Sequence, residues 1–284
     1  EKWHNSAQFA MDFRLAALER WLAAQFPGAS IAIAPASADA SFRRYFRALL
    51  GDGRSFVAMD APPEKENCGP FLHVAGLFAA AGVHVPAVLA QDLDQGYLLL
   101  EDLGSTTFLA HLSDSTAKEL YEAATDALVR IQLASRPGVL PDYDRALLER
   151  EMRLFPDWYL ARELRRVPEP GDARTLRSAF GAILANNLAQ PRVFVHRDYH
   201  SRNLMVCQPL PGMLDFQDAV YGPITYDLVS LFRDAYVRWE EERVLDWVVR
   251  YWEKARQAGL PVNSDFAAFY RDFEWMGVQR QLKV

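Results

Sequence analysis

His196-Arg197-Asp198-Tyr199-His200-Ser201-Arg202-Asn203, followed by Leu214-Asp215-Phe216, decides how this chain is read. It sets a carboxylate, a carboxamide and a second carboxylate close together, just after the strand-like run 193–195. Transfer of a phosphoryl group asks little covalent chemistry of a protein. It asks for a group that orients and deprotonates an acceptor hydroxyl, and for oxygen ligands that hold Mg²⁺ against the phosphates. Asp198 fits the first role. Asn203 and Asp215 fit the second, as hard oxygen donors of the kind Mg²⁺ prefers. The pattern H-R-D-x-x-x-x-N is matched position for position, and Asp-Phe follows at hairpin distance. A lone Asp often does no more than brace a turn; three such groups at this spacing argue for chemistry.

The neighbours divide. His196 ends an apolar strand, where a histidine braces backbone more often than it reacts. His200 and Arg202 lie inside the loop, on the side where an acceptor would sit, as substrate contacts or as cover for the loop. Further on, Pro223 and Asp227 are sound helix-start chemistry, which alone would explain them.

The chain has 284 residues, a formal charge of −6 and two cysteines, Cys68 and Cys207. An acidic balance argues against a nucleic-acid partner, although a local group of arginines can still bind phosphate or carboxylate. The apolar runs are strand-sized, far short of the roughly 18 residues that a membrane span needs. No charged-then-apolar leader opens the chain, and two cysteines make neither a disulfide framework nor a metal cluster. These features predict a cytoplasmic monomer with no membrane or nucleic-acid partner.

Apolar spacing predicts a helix over 7–26, stopped at Pro27-Gly28. Strands are expected at 30–34, 41–49 and 55–59, the last two joined through Gly51-Asp52-Gly53. A helix over 69–81 and strands at 87–91 and 97–101 follow. After Gly104 the pattern turns helical, over 116–134, 145–165 and 173–188. Short strands at 193–195, 204–207 and 213–216 then give way to helices over 224–236 and 239–258. The expected fold class is α+β. A small antiparallel-sheet lobe, 1–103, precedes a larger, mainly helical lobe, 104–284. A helical pattern still runs at Val284, which predicts that the native protein continues.

The nucleotide side is read from Ser41-Phe42-Arg43-Arg44-Tyr45-Phe46-Arg47. Alternation puts Phe42, Arg44 and Phe46 on one strand face. The segment 37–41, ending at Ser41, stands where a loop would cover phosphates; it has small residues but no glycine. Arg44 is expected to supply the missing positive charge, unless this is simply a solvated basic face. Residues 99–104, with Glu101 and Leu103, form the crossing between the lobes, where main-chain groups would meet adenine.

These motifs resemble the aminoglycoside phosphotransferase and choline kinase family. His196-Arg197-Asp198…Asn203 is similar to its catalytic loop and Leu214-Asp215-Phe216 to its metal-binding strand. Gly222-Pro223…Tyr226-Asp227-Leu228 is similar to the segment that follows. A protein kinase would show Asp-Phe-Gly and then Ala-Pro-Glu; here Gln217 replaces that glycine. Residues 37–47, 59–64, 195–205 and 214–219 further resemble the bacterial branch acting on the anomeric hydroxyl of N-acetylmuramate and N-acetylglucosamine.

The resemblance implies a two-lobed protein-kinase-like fold, ATP and Mg²⁺ as cofactors, and sugar 1-phosphates made for peptidoglycan recycling. It implies Asp198 as base, Asn203 and Asp215 on the metal, and an amino-sugar pocket drawing on His200, Arg202, Arg233 and Tyr226. One departure matters. The third strand carries Met59 where such enzymes usually hold a phosphate-binding Lys; Arg44, ahead of Lys65, is the expected substitute. An antibiotic- or choline-type kinase with an acidic pocket, and a non-catalytic relative, are the alternatives.

Overall fold

Glycine-built turns organise the first part of the chain. Gly96 sits at φ +73°, and a Cβ there would lie 1.9 Å from the Ala61 carbonyl oxygen. Only glycine lets the Ala61 N–H reach the Gly96 carbonyl at 2.9 Å, which ties the chain just after Asp60 to the turn just ahead of Tyr97. A computed structural model describes residues 2–37, 42–166 and 169–283. It divides into two compact units, residues 1–75 with 86–103, and residues 76–85 with 104–284.

The first unit contains α1 (Lys2–Gln25), β1 (Ile31–Ser37), β2 (Arg44–Leu50), β3 (Ser55–Asp60), most of α2 (Gly69–Ala80), β4 (Val88–Asp92) and β5 (Tyr97–Glu101). The strands make an antiparallel sheet in the order β1-β2-β3-β5-β4. Leu18 and Leu22 of α1 are buried against Phe46, Ala48, Ala58, Tyr97 and Leu99. Fully burying one such leucine is worth about 1.5–3 kcal/mol, so the amphipathic stripe of α1 decides which sheet face is covered.

That choice gives Arg44 a partner inside the sheet unit. Arg44 shares the covered face with Phe46, so it points towards α1 and pairs across the ladder with Asp60. Its Nε donates to Asp60 Oδ2 at 2.9 Å, while Nε of Arg14, from α1, donates to Oδ1 at 3.0 Å. Asp60 is fully buried between the two guanidinium groups. On the same strand Arg47 makes a two-toothed pair with Asp102, at 2.7 and 3.0 Å. Met59, at the place of the usual Lys, is buried.

The second unit contains α3 (Phe108–His111), α4 (Ala117–Leu133), α5 (Arg145–Met152), a π-helical segment (Phe155–Glu163), α6 (Pro170–Ala189), α7 (Tyr226–Phe232), α8 (Glu241–Gln257) and α9 (Phe266–Lys283). Its strands form two small antiparallel pairs. β6 (Arg192–Val195) pairs with β9 (Val220–Pro223), and β7 (Leu204–Met205) with β8 (Gly212–Met213).

Three departures from expectation have local causes. The helix expected over 145–165 breaks after Met152, next to Pro156, whose missing N–H cannot close an α-helical turn. Residues 220–223 form a strand because they pair antiparallel with β6, and Gly222 leaves room for Tyr143, where a Cβ would come within 2.6 Å. The helix expected over 224–236 ends at Phe232. Asp234 and Tyr236 then fall in a turn, held by the Asp234 carboxylate on the Tyr236 N–H at 3.0 Å.

Candidate active site

β6 delivers the chain into the loop 196–203, and a buried carboxylate holds it there. Asp227, in the first turn of α7, accepts the His196 N–H at 2.6 Å and the Arg197 N–H at 3.0 Å. Its role is therefore more than a helix start: it clamps the backbone just ahead of Asp198. Arg197 adopts φ +77° and Asp215 φ +63°. Both are left-handed conformations that cost a non-glycine residue energy and gather at functional sites. Arg197 is stabilised by donating to Glu151 Oε1 at 2.7 Å and to the Asp218 carbonyl at 3.3 Å.

The three groups picked from the sequence come together. Asn203 Nδ2 donates to the Asp198 carbonyl at 3.0 Å and to Asp215 Oδ2 at 3.3 Å. The Leu214 N–H donates to the Asn203 carbonyl at 2.9 Å, which ties the loop to the following segment. Gln217 Nε2 donates to Asp215 Oδ1 at 2.7 Å. Residue 217, where a glycine was the comparison, thus orients the carboxylate. Asp215 lies beyond β8, in a loop and not on the expected strand. The Asp198 side chain is 33% exposed, enough to meet an incoming hydroxyl.

A divalent cation fits this donor set. Asn203 and Asp215 present a carboxamide and a carboxylate side by side, and beside them Gln217 Oε1 is buried without a hydrogen-bond partner. Among the described residues no cluster of three or more His, Cys, Asp or Glu side chains is placed to bind a metal. The site suits an ion held by few protein oxygens, with phosphate and water completing its shell, which is Mg²⁺ chemistry.

His196 is structural. It is fully buried, its ring stacked on Phe78 at 6.1 Å and edge-on to Tyr199 at 5.5 Å. Burial drives its pKa down to about 4, against the opposing pull of Asp198. The neighbouring Asp227 is pushed up to about 7 by burial, against the two N–H bonds it accepts. For His196 the sign is set by a folded pKa below the unfolded 6.5. Its contribution is present above pH 6.5 and is lost as pH falls through about 4, worth about 3 kcal/mol. Urea unfolding should therefore show His196→Phe losing less stability than the parent between pH 6.5 and 4. The comparison isolates His196 from Asp227, whose shift has the opposite sense, and equal losses would refute it.

On the proposed acceptor side, Ser201 donates through N and Oγ to Asp234 Oδ2, at 2.9 and 2.5 Å. His200 lies edge-on to the half-exposed Tyr236 at 5.5 Å, and the Arg202 guanidinium lies over the same ring at 4.9 Å. Tyr226 is fully buried, with its ring 5.1 Å from Tyr143. Arg233 is engaged with Glu241 at 2.8 Å and with Glu274, and lies over Phe273. Neither Tyr226 nor Arg233 joins His200 and Arg202. Glu101, Leu103 and Arg44 belong to the first unit. There the Glu101 N–H donates to the Ala87 carbonyl at 2.9 Å, and Leu103 is buried. Ser41 lies outside the described residues.

Sequence reasoning passed over Arg197, Glu151, Asp234, Tyr236 and Lys283. Arg197 sits inside the quoted motif, and its place directly before Asp198 was the available signal. Glu151 and Lys283 reach the loop from remote helices, and no spacing announces them.

A sheet unit joined to a helical unit, with Asp198, Asn203 and Asp215 gathered in one loop cluster, defines a kinase-fold phosphotransferase. Residues 32–262 match the phosphotransferase enzyme family, and the chain belongs to it. It is 52% identical over 271 residues to an N-acetylmuramate/N-acetylglucosamine kinase of Neisseria meningitidis, covering 94% of this chain and 80% of that one. The protein of that name from Pseudomonas aeruginosa is 51% identical over 283 residues, covering 96% and 83%. That from Caulobacter vibrioides is 32% identical, covering 87% and 77%. Among solved structures, an aminoglycoside phosphotransferase from Streptomyces rimosus with ADP and streptomycin superposes with a TM-score of 0.60. It is 17% identical and covers 95% of this chain and 98% of that one. A putative aminoglycoside phosphotransferase from Ralstonia eutropha gives 0.63 at 14% identity, covering 95% and 88%. These two likenesses concern the fold alone.

Proposed function

We propose that this phosphotransferase uses Mg·ATP to phosphorylate the anomeric hydroxyl of N-acetylmuramate and N-acetylglucosamine, giving sugar 1-phosphates for peptidoglycan recycling. The observation that carries the reading is the Asp198–Asn203–Asp215 cluster in a chain half identical to kinases bearing that name. Asp198 orients the acceptor hydroxyl and takes its proton. Asn203 and Asp215 hold Mg²⁺, whose charge, when bound, offsets that of the phosphates. Asp227 and Arg197 fix the loop from behind, so the base meets the acceptor without rearranging. Main-chain groups around Glu101 and Leu103 receive adenine, and Ser41 is assigned to the phosphates. His200 and Arg202 contact the sugar, and Arg202 offers a cation to the lactyl carboxylate of N-acetylmuramate.

The proposed home is the cytoplasm, as a monomer. No described helix is long and apolar enough to cross a membrane. ADP release should be measured over free amino sugars, neutral sugars, choline and aminoglycosides, with the product phosphate located by NMR. Turnover of the two N-acetyl sugars, with phosphorus coupled to C1, is expected. Preferential turnover of an aminoglycoside or choline, or phosphate on another hydroxyl, would overturn the assignment.

A further inference from the structure

α9 brings a cation to the catalytic loop from a remote part of the chain. Lys283 Nζ lies 3.9 Å from Asp198 Oδ1 and 3.6 Å from Glu151 Oε1, and it donates to the Tyr226 hydroxyl at 3.2 Å. Only the last of these is a hydrogen bond in length. An ammonium carries three donors, so an oxygen arriving at Asp198 finds donor capacity that neither carboxylate takes up.

The placement is set by packing. α9 packs on α5, α6 and α7, and the Lys283 side chain is 19% exposed, with its ammonium 5.8 Å from the centre of the Tyr226 ring. Glu151 does not need this cation for its own charge, because Arg197 meets it at 2.7 Å and the Tyr143 hydroxyl donates to it as well. Burial acts to lower the Lys283 pKa, but Tyr226, Glu151 and Asp198 outweigh it and hold the value above the ordinary one. The group is therefore an ammonium wherever the enzyme works.

We infer that Lys283 is a further catalytic residue, whose ammonium contacts the oxygens of the phosphoryl group as it passes to the acceptor. This rests on the kinase reading above. As the acceptor oxygen bonds to the γ-phosphorus, its proton moves to Asp198. The bond from that phosphorus to the β-phosphate oxygen breaks, and its electron pair leaves with ADP. Asp198 thereby loses its negative charge beside Lys283 just as phosphoryl oxygens arrive there. A fixed cation stays compensated throughout and meets the charge of the phosphoryl oxygens only as they pass to the acceptor. Such preorganised groups typically contribute 10²–10³-fold to turnover.

The test compares Lys283→Met, Lys283→Arg and Lys283→Ala with the parent, on the acceptor that the panel identifies. For Lys283→Met, kcat is expected to fall about 10²–10³-fold with both KM values within about threefold, since the contact is made in the transition state. Lys283→Arg should retain most of the lost turnover, and added alkylammonium should partly restore Lys283→Ala in a concentration-dependent way. Turnover of the Met variant within threefold of the parent would remove Lys283 from catalysis. So would a loss matched by a lower melting temperature that neither Arg nor added amine repairs, because that marks a strut between α9 and the loop. A parent that ignores amino sugars but turns over another acceptor overturns only the acceptor assignment.

Discussion

Asp198→Asn is expected to lower turnover by about 10³-fold or more while leaving nucleotide affinity within about threefold. The carboxamide has nearly the same shape but cannot take a proton from the acceptor. The substitution leaves the metal side alone, because Asn203 is held by the Asp198 main-chain carbonyl and not by its side chain. The loop backbone also stays in place, since Asp227 grips it at His196 and Arg197. Loss of chemistry without loss of binding is therefore the signature of a base, and loss of both would mean the loop had moved. Coupled ADP release, together with titration of a fluorescent nucleotide, separates the two. Residual turnover within tenfold of the parent would take Asp198 out of the base role.

The cluster around Asp198 was legible because its members are near one another in the chain and the spacing itself carries the geometry. The sheet was legible for a similar reason, with the second and third strands joined through Gly51-Asp52-Gly53. What stayed hidden needed knowledge of a partner. Asp227 has a sufficient local explanation as a helix-start residue, so its hold on two N–H groups of the catalytic loop left no trace. Strand alternation correctly grouped Arg44 with Phe46, but it cannot say which face a helix covers. That depends on α1 and on the burial of Leu18 and Leu22. Lys283 is the extreme case: a single lysine late in a helical pattern, whose place beside Asp198 exists only once α9 has packed on α5, α6 and α7.

Asp60→Asn is expected to lower the free energy of unfolding by about 3–5 kcal/mol, the usual cost of removing one partner from a buried ion pair. The carboxylate is fully buried and receives both Arg14 and Arg44, whose side chains are 24% exposed. Without its charge the two guanidinium groups are left facing one another across a neutral, buried partner. Arg14 also donates to the Gln95 carbonyl at 2.7 Å, so the change loosens α1 and the Gly96 hairpin together. Arg44→Met should cost less, because Arg14 still neutralises Asp60. Replacing all three groups with apolar residues of similar size should recover much of the loss, since a well-packed apolar set often matches a buried ion cluster. Urea unfolding followed by far-UV circular dichroism orders these variants. A change below 1 kcal/mol for Asp60→Asn would show that water screens the cluster. The same variants decide what Arg44 does: a structural guanidinium predicts that Arg44→Met keeps KM for ATP within about threefold, whereas a phosphate ligand would raise it by tenfold or more.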